Sequence, residues 1–292
     1  MTRMTTRFYK LSGSGNDFLA LAEPWETPPP ERIRAWCRRG VSLGADGLFI
    51  LRRAPGGDSG ATMDYFNADG LPADLCLNGT RCAAQLAFHL GWAEGSRGTL
   101  QLRTGAGSVA ARRLDAERTA VELPAPAGPP QPLVVDAGGR SHAGWRILVG
   151  VPHFVLLWPD GLETAPVREL GRQLRHHPVF GAPGTNVDFV RFPARERMEI
   201  RTYERGVEDE TLSCGTGVLA GAAVGLLLAQ VRLPLRVATQ GGFELLVDGD
   251  PEAGSWSLAG DARVVAEGEL LPGAGLSPPR PAWEQAADLV KT

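Results

Sequence analysis

Two stretches of the chain are apolar on every side. From Gly215 to Val231 no residue carries a charge, and from Cys82 to Trp92 only His89 can carry one near neutral pH. A helix at a surface needs a polar face; a helix apolar all round is buried all round. Both stretches therefore read as central, enclosed helices. Before them stand "TMDYFNADG" (62–70) and "EIRTYERGV" (199–207), each alternating apolar and polar positions and then entering a polar turn. After them come "TGAGSVAARRL" from Thr104 and "TQGGFELLVDG" from Thr239, each a glycine turn leading into a strand. The pattern predicts an α/β chain of mixed α+β type, with a curved sheet or barrel wrapped around one central helix, twice.

The two units repeat one another. Cys76-Leu77-Asn78-Gly79 aligns with Cys214-Gly215-Thr216-Gly217, and the eighth residue after each Cys is Ala (Ala84 and Ala222). Upstream, Gly13 lies 63 residues before Cys76 and Gly150 lies 64 before Cys214. Ordered matches of this kind argue for a duplication and for two pseudo-symmetric domains. The boundary is "VELPAPAGPPQPLVV" (121–135), where five of the nine residues Pro124–Pro132 are proline. The expected division is an N-terminal lobe at 1–125, closed by a strand from about 262–272, and a C-terminal lobe at 133–261. A peripheral tail is expected at 273–292, with a short terminal helix.

Composition narrows the function classes. The 292 residues are 43% hydrophobic and 22% charged with a net charge of -3, which favours neither nucleic acid nor a membrane surface as partner. The longest uncharged apolar run, about Val218–Ala229, is too short to span a bilayer. The opening "MTRMTTRFYKL" has no apolar core segment, so a cytoplasmic protein is expected. The four cysteines, Cys37, Cys76, Cys82 and Cys214, then read as free thiols. They contain no C-x-x-C pair, which argues against zinc, and no metal is expected. The only lysines, Lys10 and Lys291, leave little for a Schiff-base cofactor.

The chemistry sits at the repeated cysteines. Each stands where a helix begins, beside unsatisfied N–H groups and the positive end of the helix dipole. A thiol there is expected to have a depressed pKa, and the same N–H groups bind carboxylates. Glycines 79, 215 and 217 are expected to let the backbone approach a ligand. With the halves face to face, two thiols flank one cleft. One thiolate removes an α-proton and the other thiol delivers a proton to the opposite face, with no cofactor. Cys37 and Cys82 lack this context and are assigned to packing.

At this point the chain resembles the diaminopimelate epimerases. "FYKLSGSGNDF" (8–18), "GADGLFIL" (44–51), "YFNADG" (65–70), "CLNGTRC" (76–82), "VPHFV" (151–155), "TNVDFV" (185–190), "YERG" (203–206) and "ETLSCGTG" (210–217) follow in that family's order, across about residues 8–270. The resemblance implies two pseudo-symmetric lobes and interconversion of LL- and meso-diaminopimelate for lysine and peptidoglycan precursors. It implies no cofactor and no metal. By position it makes Cys76 and Cys214 the acid/base pair and places backbone N–H groups of Asn78, Gly79, Gly215 and Thr216 on the reacting carboxylate. It places Asn16, Asn67, Asn186, Glu204 and Arg205 around the substrate, with His153 as a secondary candidate. Glu204 suits an ammonium and Arg205 a carboxylate. Members commonly form homodimers, which implies one here.

Four features depart from the common pattern. Leu77 stands where many members have Gly, Val151 where many have Asn, and Gly47 where some have Gln; the stretch from Glu204 to Cys214 is one residue longer. These changes touch specificity, and they keep open the same two-thiol chemistry on another amino acid. A dithiol redox protein is the alternative of another class, and a protein that only binds an amino acid is a third.

Overall fold

The computed structural model describes residues 7–23, 26–54, 60–93, 98–250 and 253–275. The N-terminal half runs through β1 (Arg7–Gly13), β2 (Asn16–Ala22), α1 (Pro30–Cys37), β3 (Gly47–Arg53), β4 (Gly60–Asn67), α2 (Leu77–His89), β5 (Thr99–Thr104), β6 (Gly107–Arg113) and β7 (Arg118–Pro124). The C-terminal half runs through β8 (Gln131–Ala137), β9 (Arg140–Val149), β10 (Val151–Leu157), α3 (Val167–Arg175), β11 (Asn186–Ala194), β12 (Arg197–Glu204) and β13 (Asp209–Thr211). It continues with α4 (Gly215–Leu227), β14 (Leu235–Thr239), β15 (Glu244–Asp250), β16 (Ser255–Asp261) and β17 (Arg263–Glu269). The fold is mixed α+β, as the hydrophobic pattern predicts.

Strand pairing repeats between the halves. β1–β2 is antiparallel, β2–β3 parallel, β3–β4 antiparallel, β4–β5 parallel, and β5–β6 and β6–β7 antiparallel. The series β9–β10, β10–β11, β11–β12, β12–β14, β14–β15 and β15–β16 has the same senses in the same order. Each parallel pair needs a crossover. α1 and α3 supply the first crossover of each half, and α2 and α4 the second. Two strands extend the repeat at matching places: β17 pairs with β1, and β8 with β9. The pairing of β7 with β16 joins the two sheets edge to edge.

The two uncharged stretches become α2 and α4, as their composition requires. Every residue from Leu77 to Phe88 is buried, as are Gly215 and Gly217–Gly225. They pack into one large apolar cluster with Leu11, Leu51, Leu102, Val237 and Leu258. Burying each such side chain contributes about 1.5–3 kcal/mol. α1 and α3 are amphipathic and cover other faces of the sheet. Ile33 and Trp36 pack with Leu48 and Ile50; Leu170 and Leu174 pack with Phe154 and Phe189. Cys37 and Cys82 are buried in packing.

One charged residue inside α2 escapes the sequence reading. Arg81 is fully buried and donates from Nη2 to Ser14 Oγ (2.8 Å) and Asn78 Oδ1 (2.7 Å). Ser14 bonds Asp261 Oδ1 through both its N–H (2.7 Å) and its hydroxyl (2.8 Å). This web fixes the first turn of α2 against the β1–β2 turn and the β16–β17 junction. Of the tail expected at 273–292, the described part belongs to a short 3-10 turn, Pro272–Gly275; Ser42 Oγ donates to Ala274 O (2.8 Å). Residues 276–292, including the expected terminal helix, lie outside the described residues.

Candidate active site

Cys76 and Cys214 are the N-cap residues of α2 and α4, both in extended backbone. An N-cap side chain is aimed at the first free N–H groups of its helix. Cys76 Sγ accepts from Gly79 N–H at 3.5 Å, while Cys214 Sγ lies 3.4 Å from Thr216 Oγ1. Among the described residues no hydrogen bond takes up the N–H groups of Asn78, Gly215 or Thr216. Those donors are free for an anion, as expected at a helix start.

The two helix starts abut. A Cβ placed on Gly215 would lie 2.9 Å from Leu77 Cβ, and Asn78 Nδ2 donates to Ser213 O at 3.2 Å. Leu77 is helical and buried, so its position needs no left-handed backbone. Its side chain fills the space that Gly215 leaves. Gly217 serves the protein in the same way: a Cβ there would lie 2.4 Å from Asp188 Oδ1. These two glycines therefore also permit a close approach of protein to protein. A Cβ on Gly79 would meet its neighbours at 3.4–3.5 Å, ordinary contact distance.

The thiol pKa expectation is corrected. Burial pushes the Cys76 thiol up to about 11, against the Gly79 N–H, and the Glu204 carboxylate adds to the rise. Burial likewise raises the Cys214 thiol well above its ordinary value, assisted by Glu204 and then Asp188. Desolvation of the charged form outweighs the helix terminus. The charge of Glu204, at the end of β12, thus acts on both sulfurs. Its own carboxyl is raised by burial, against the pull of the Thr211 hydroxyl and His153.

The remaining predicted residues divide into two sets. Three asparagines have their amides engaged inside the protein. Asn16 Nδ2 donates to Asp46 Oδ2 (3.0 Å), and its Oδ1 accepts from Asn78 Nδ2 (2.7 Å). Asn186 Oδ1 accepts from Arg205 N–H at 2.7 Å, which fixes the turn after Glu204. By contrast, Asn67 at the end of β4 and Arg205 just after β12 have no side-chain hydrogen bond or ion pair among the described residues. They are free to meet a ligand.

His153 is buried on β10. Its Nδ1 is 2.7 Å from Asp188 Oδ2, and its Nε2 is 3.4 Å from Asn186 Nδ2. Asp188 Oδ1 accepts from Thr202 Oγ1 at 2.8 Å. The geometry makes Nδ1 the donor to the carboxylate and Nε2 the acceptor from the amide. Sequence reading missed Asp188; the signal was an acid flanked by apolar Val187, Phe189 and Val190 in a strand. Among the described residues, no group of three or more His, Cys, Asp or Glu side chains is arranged to hold a metal ion. No helix there is long and apolar enough to cross a membrane.

This arrangement has close relatives. A diaminopimelate epimerase from Aquifex aeolicus (strain VF5) is 35% identical over 274 residues, 90% of this chain and 97% of that one. An O-ureido-serine racemase from Streptomyces lavendulae is 33% identical over 282 residues, 92% of this chain and 97% of that one. At 16% identity, a solved structure of a probable proline racemase from Agrobacterium radiobacter K84 shares the fold. Its TM-score is 0.69, over 93% of this chain and 96% of that one. The family whose sequence model matches is "Diaminopimelate epimerase", over residues 8–124 and 146–265, which contain both repeated cysteines and every side chain placed around them. The chain belongs to the diaminopimelate epimerase family.

Proposed function

We propose that this protein is a cofactor-independent amino-acid epimerase that interconverts LL- and meso-diaminopimelate through Cys76 and Cys214, on the route to lysine and peptidoglycan precursors. The observation that carries the reading is the pair of cysteine N-caps on abutting helix starts, with the charge of Glu204 acting on both sulfurs. Free N–H groups at Asn78, Gly215 and Thr216 hold the substrate carboxylate. Glu204 meets the ammonium, and Arg205 and Asn67 meet the distal end.

In the reaction one sulfur, as thiolate, takes the α-proton. The C–H electron pair moves into an enediolate whose charge rests against the helix N–H groups. The second sulfur, as thiol, gives its proton to the opposite face of the carbon and becomes the thiolate. The raised pKa suits this step, because a sulfur that ionises reluctantly is a stronger base once ionised. The small thiolate fraction is the corresponding cost.

The test is α-proton exchange from D₂O in the reduced protein, with diaminopimelate as substrate. Exchange is expected, and Cys76→Ser or Cys214→Ser lowers turnover by about 10²–10⁴-fold. Retained turnover in both variants, with only redox behaviour lost, would favour a dithiol redox protein. A second reading, the same chemistry on another amino acid, is favoured by Val151 and Gly47 and by the 33% identity to the O-ureido-serine racemase. Exchange with a single-centre amino acid and none with diaminopimelate would establish it.

A further inference from the structure

The turn that carries Arg205 is fastened by residues outside the site. β12 ends at Glu204; Arg205, Gly206, Val207 and Glu208 then carry the chain back into β13, where Asp209 pairs with Glu204. This turn opens the stretch that is one residue longer than the common pattern. Glu208 closes it in the left-handed region, at φ 59. A residue with a side chain keeps that conformation only where its surroundings over-determine it, and here they do. The Glu208 N–H donates to Glu204 O (2.9 Å), and its carbonyl accepts from Tyr203 Oη (2.7 Å). Its carboxylate accepts from Gly206 N–H (3.0 Å) and from Arg175 Nε (3.1 Å) and Nη2 (2.9 Å), and His176 Nε2 lies 3.2 Å from its other oxygen.

Arg175 ends α3 and is buried. Besides Glu208 it holds the segment that leads into β11. Its Nη1 donates to Pro183 O (2.9 Å), and its carbonyl accepts from Thr185 N–H (3.3 Å). The next residue, Asn186, reaches back to the turn and accepts from Arg205 N–H at 2.7 Å. These contacts close a ring: Arg175 to Glu208, through the turn to Arg205, across to Asn186, and through residues 183–185 back to Arg175. The ring holds the backbone of Arg205, while its side chain has no hydrogen bond or ion pair among the described residues.

We propose that Arg175 and Glu208 are positioning residues for Arg205: their clamp fixes the turn so that its guanidinium is presented at a set place to an anionic group at the distal end of the substrate. An Arg side chain loses rotamer freedom when it is ordered, so a backbone already fixed lowers what binding costs. Both residues act through the Arg205 backbone and not on the reacting carbon. This inference rests on the reading of Arg205 under the proposed function and deepens it by naming what sets recognition of the distal end.

Glu208→Gly is the discriminating variant. Glycine adopts φ 59 without strain and keeps the backbone bonds to Glu204 and Tyr203, so relief of strain offsets the lost contacts and the melting temperature should stay close to that of the wild type. Amide hydrogen exchange of the intact, ligand-free protein, read by NMR, is expected to speed up at Arg205 N–H by about three- to tenfold, the worth of a partly screened charge-assisted contact. In epimerisation of diaminopimelate, KM is expected to rise by about three- to tenfold with kcat unchanged, the signature of lost uniform binding. Glu208→Gln keeps the oxygen that accepts from Arg175 and Gly206, and should bring both measurements back towards the wild type. Unchanged exchange at Arg205 in Glu208→Gly overturns the clamp. Faster exchange with an unmoved KM, or a fall in kcat that follows the melting temperature, overturns its role in reading the substrate. No turnover of diaminopimelate by the wild type, alongside faster exchange at Arg205 in Glu208→Gly, would overturn the diaminopimelate reading and leave the clamp standing.

Discussion

Replacing Glu204 by Gln removes one negative charge that acts on both sulfurs while keeping the side-chain shape. Like charges disfavour ionisation, so the loss of this one lowers both thiol pKa values. A nearby charge moves a pKa by about 1–3 units. Glu204 is half-buried, and an effect at the low end of that range, near one unit, is about 1.4 kcal/mol or tenfold in thiolate fraction. The shift is expected to be larger at Cys214, where Glu204 is second only to burial as a cause. At Cys76 the Gly79 N–H stands ahead of it. Alkylation against pH, read separately on the two cysteine peptides, measures both midpoints. Turnover should move the opposite way. Losing the carboxylate proposed to meet the ammonium is expected to cost about 1.5–3 kcal/mol of binding to a charged group, or roughly 10–100-fold in kcat/KM. More reactive thiols in a less active enzyme is a combination that general loosening of the site does not produce selectively at Cys214. If neither midpoint falls, Glu204 does not act on the sulfurs electrostatically and the account of the site is wrong.

Gly215→Ala places a Cβ against Leu77 Cβ at 2.9 Å, and is expected to destabilise by about 1–3 kcal/mol in urea denaturation. Leu77→Ala should recover part of that loss in the double variant, whereas strictly additive effects would mean that the two residues do not touch. Asn78→Ala removes one of the two acceptors of the buried Arg81 and the donor to Ser213; a loss of about 2–4 kcal/mol is expected from leaving a buried charge short of partners, and an unchanged denaturation midpoint would contradict it. Asp17 is opposed by burial, but hydrogen bonds from Arg39 and Lys10 hold its carboxyl below the ordinary value. Its stabilising contribution is therefore present above the ordinary carboxylate pKa and is lost as pH falls through the lower native value. Asp17→Asn should lower stability at pH 7 and flatten the acid limb of a stability–pH curve; an identical acid limb refutes this.

The features legible in the sequence are those encoded locally. Uncharged runs specified two enclosed helices, because a helix with no polar face has nowhere to go but inside. Alternation and glycine turns specified the flanking strands, and ordered matches between halves exposed the duplication. The cysteine positions followed from where each helix had to begin. Other properties depend on what stands opposite a residue, and spacing along one chain does not encode that. The thiol pKa is the plainest case. Helix position argues for a low value, but burial in the folded chain raises it, since desolvation is set by the whole surroundings. The packing role of Gly215 and Gly217 is invisible until Leu77 and Asp188 fill the space beside them. Arg81 looks like a surface charge on an apolar helix until Ser14 and Asn78 close over it. The physical reason is the same in each case: periodicity chooses the element and its inward face, while long-range packing chooses the neighbours, and the neighbours set the electrostatics.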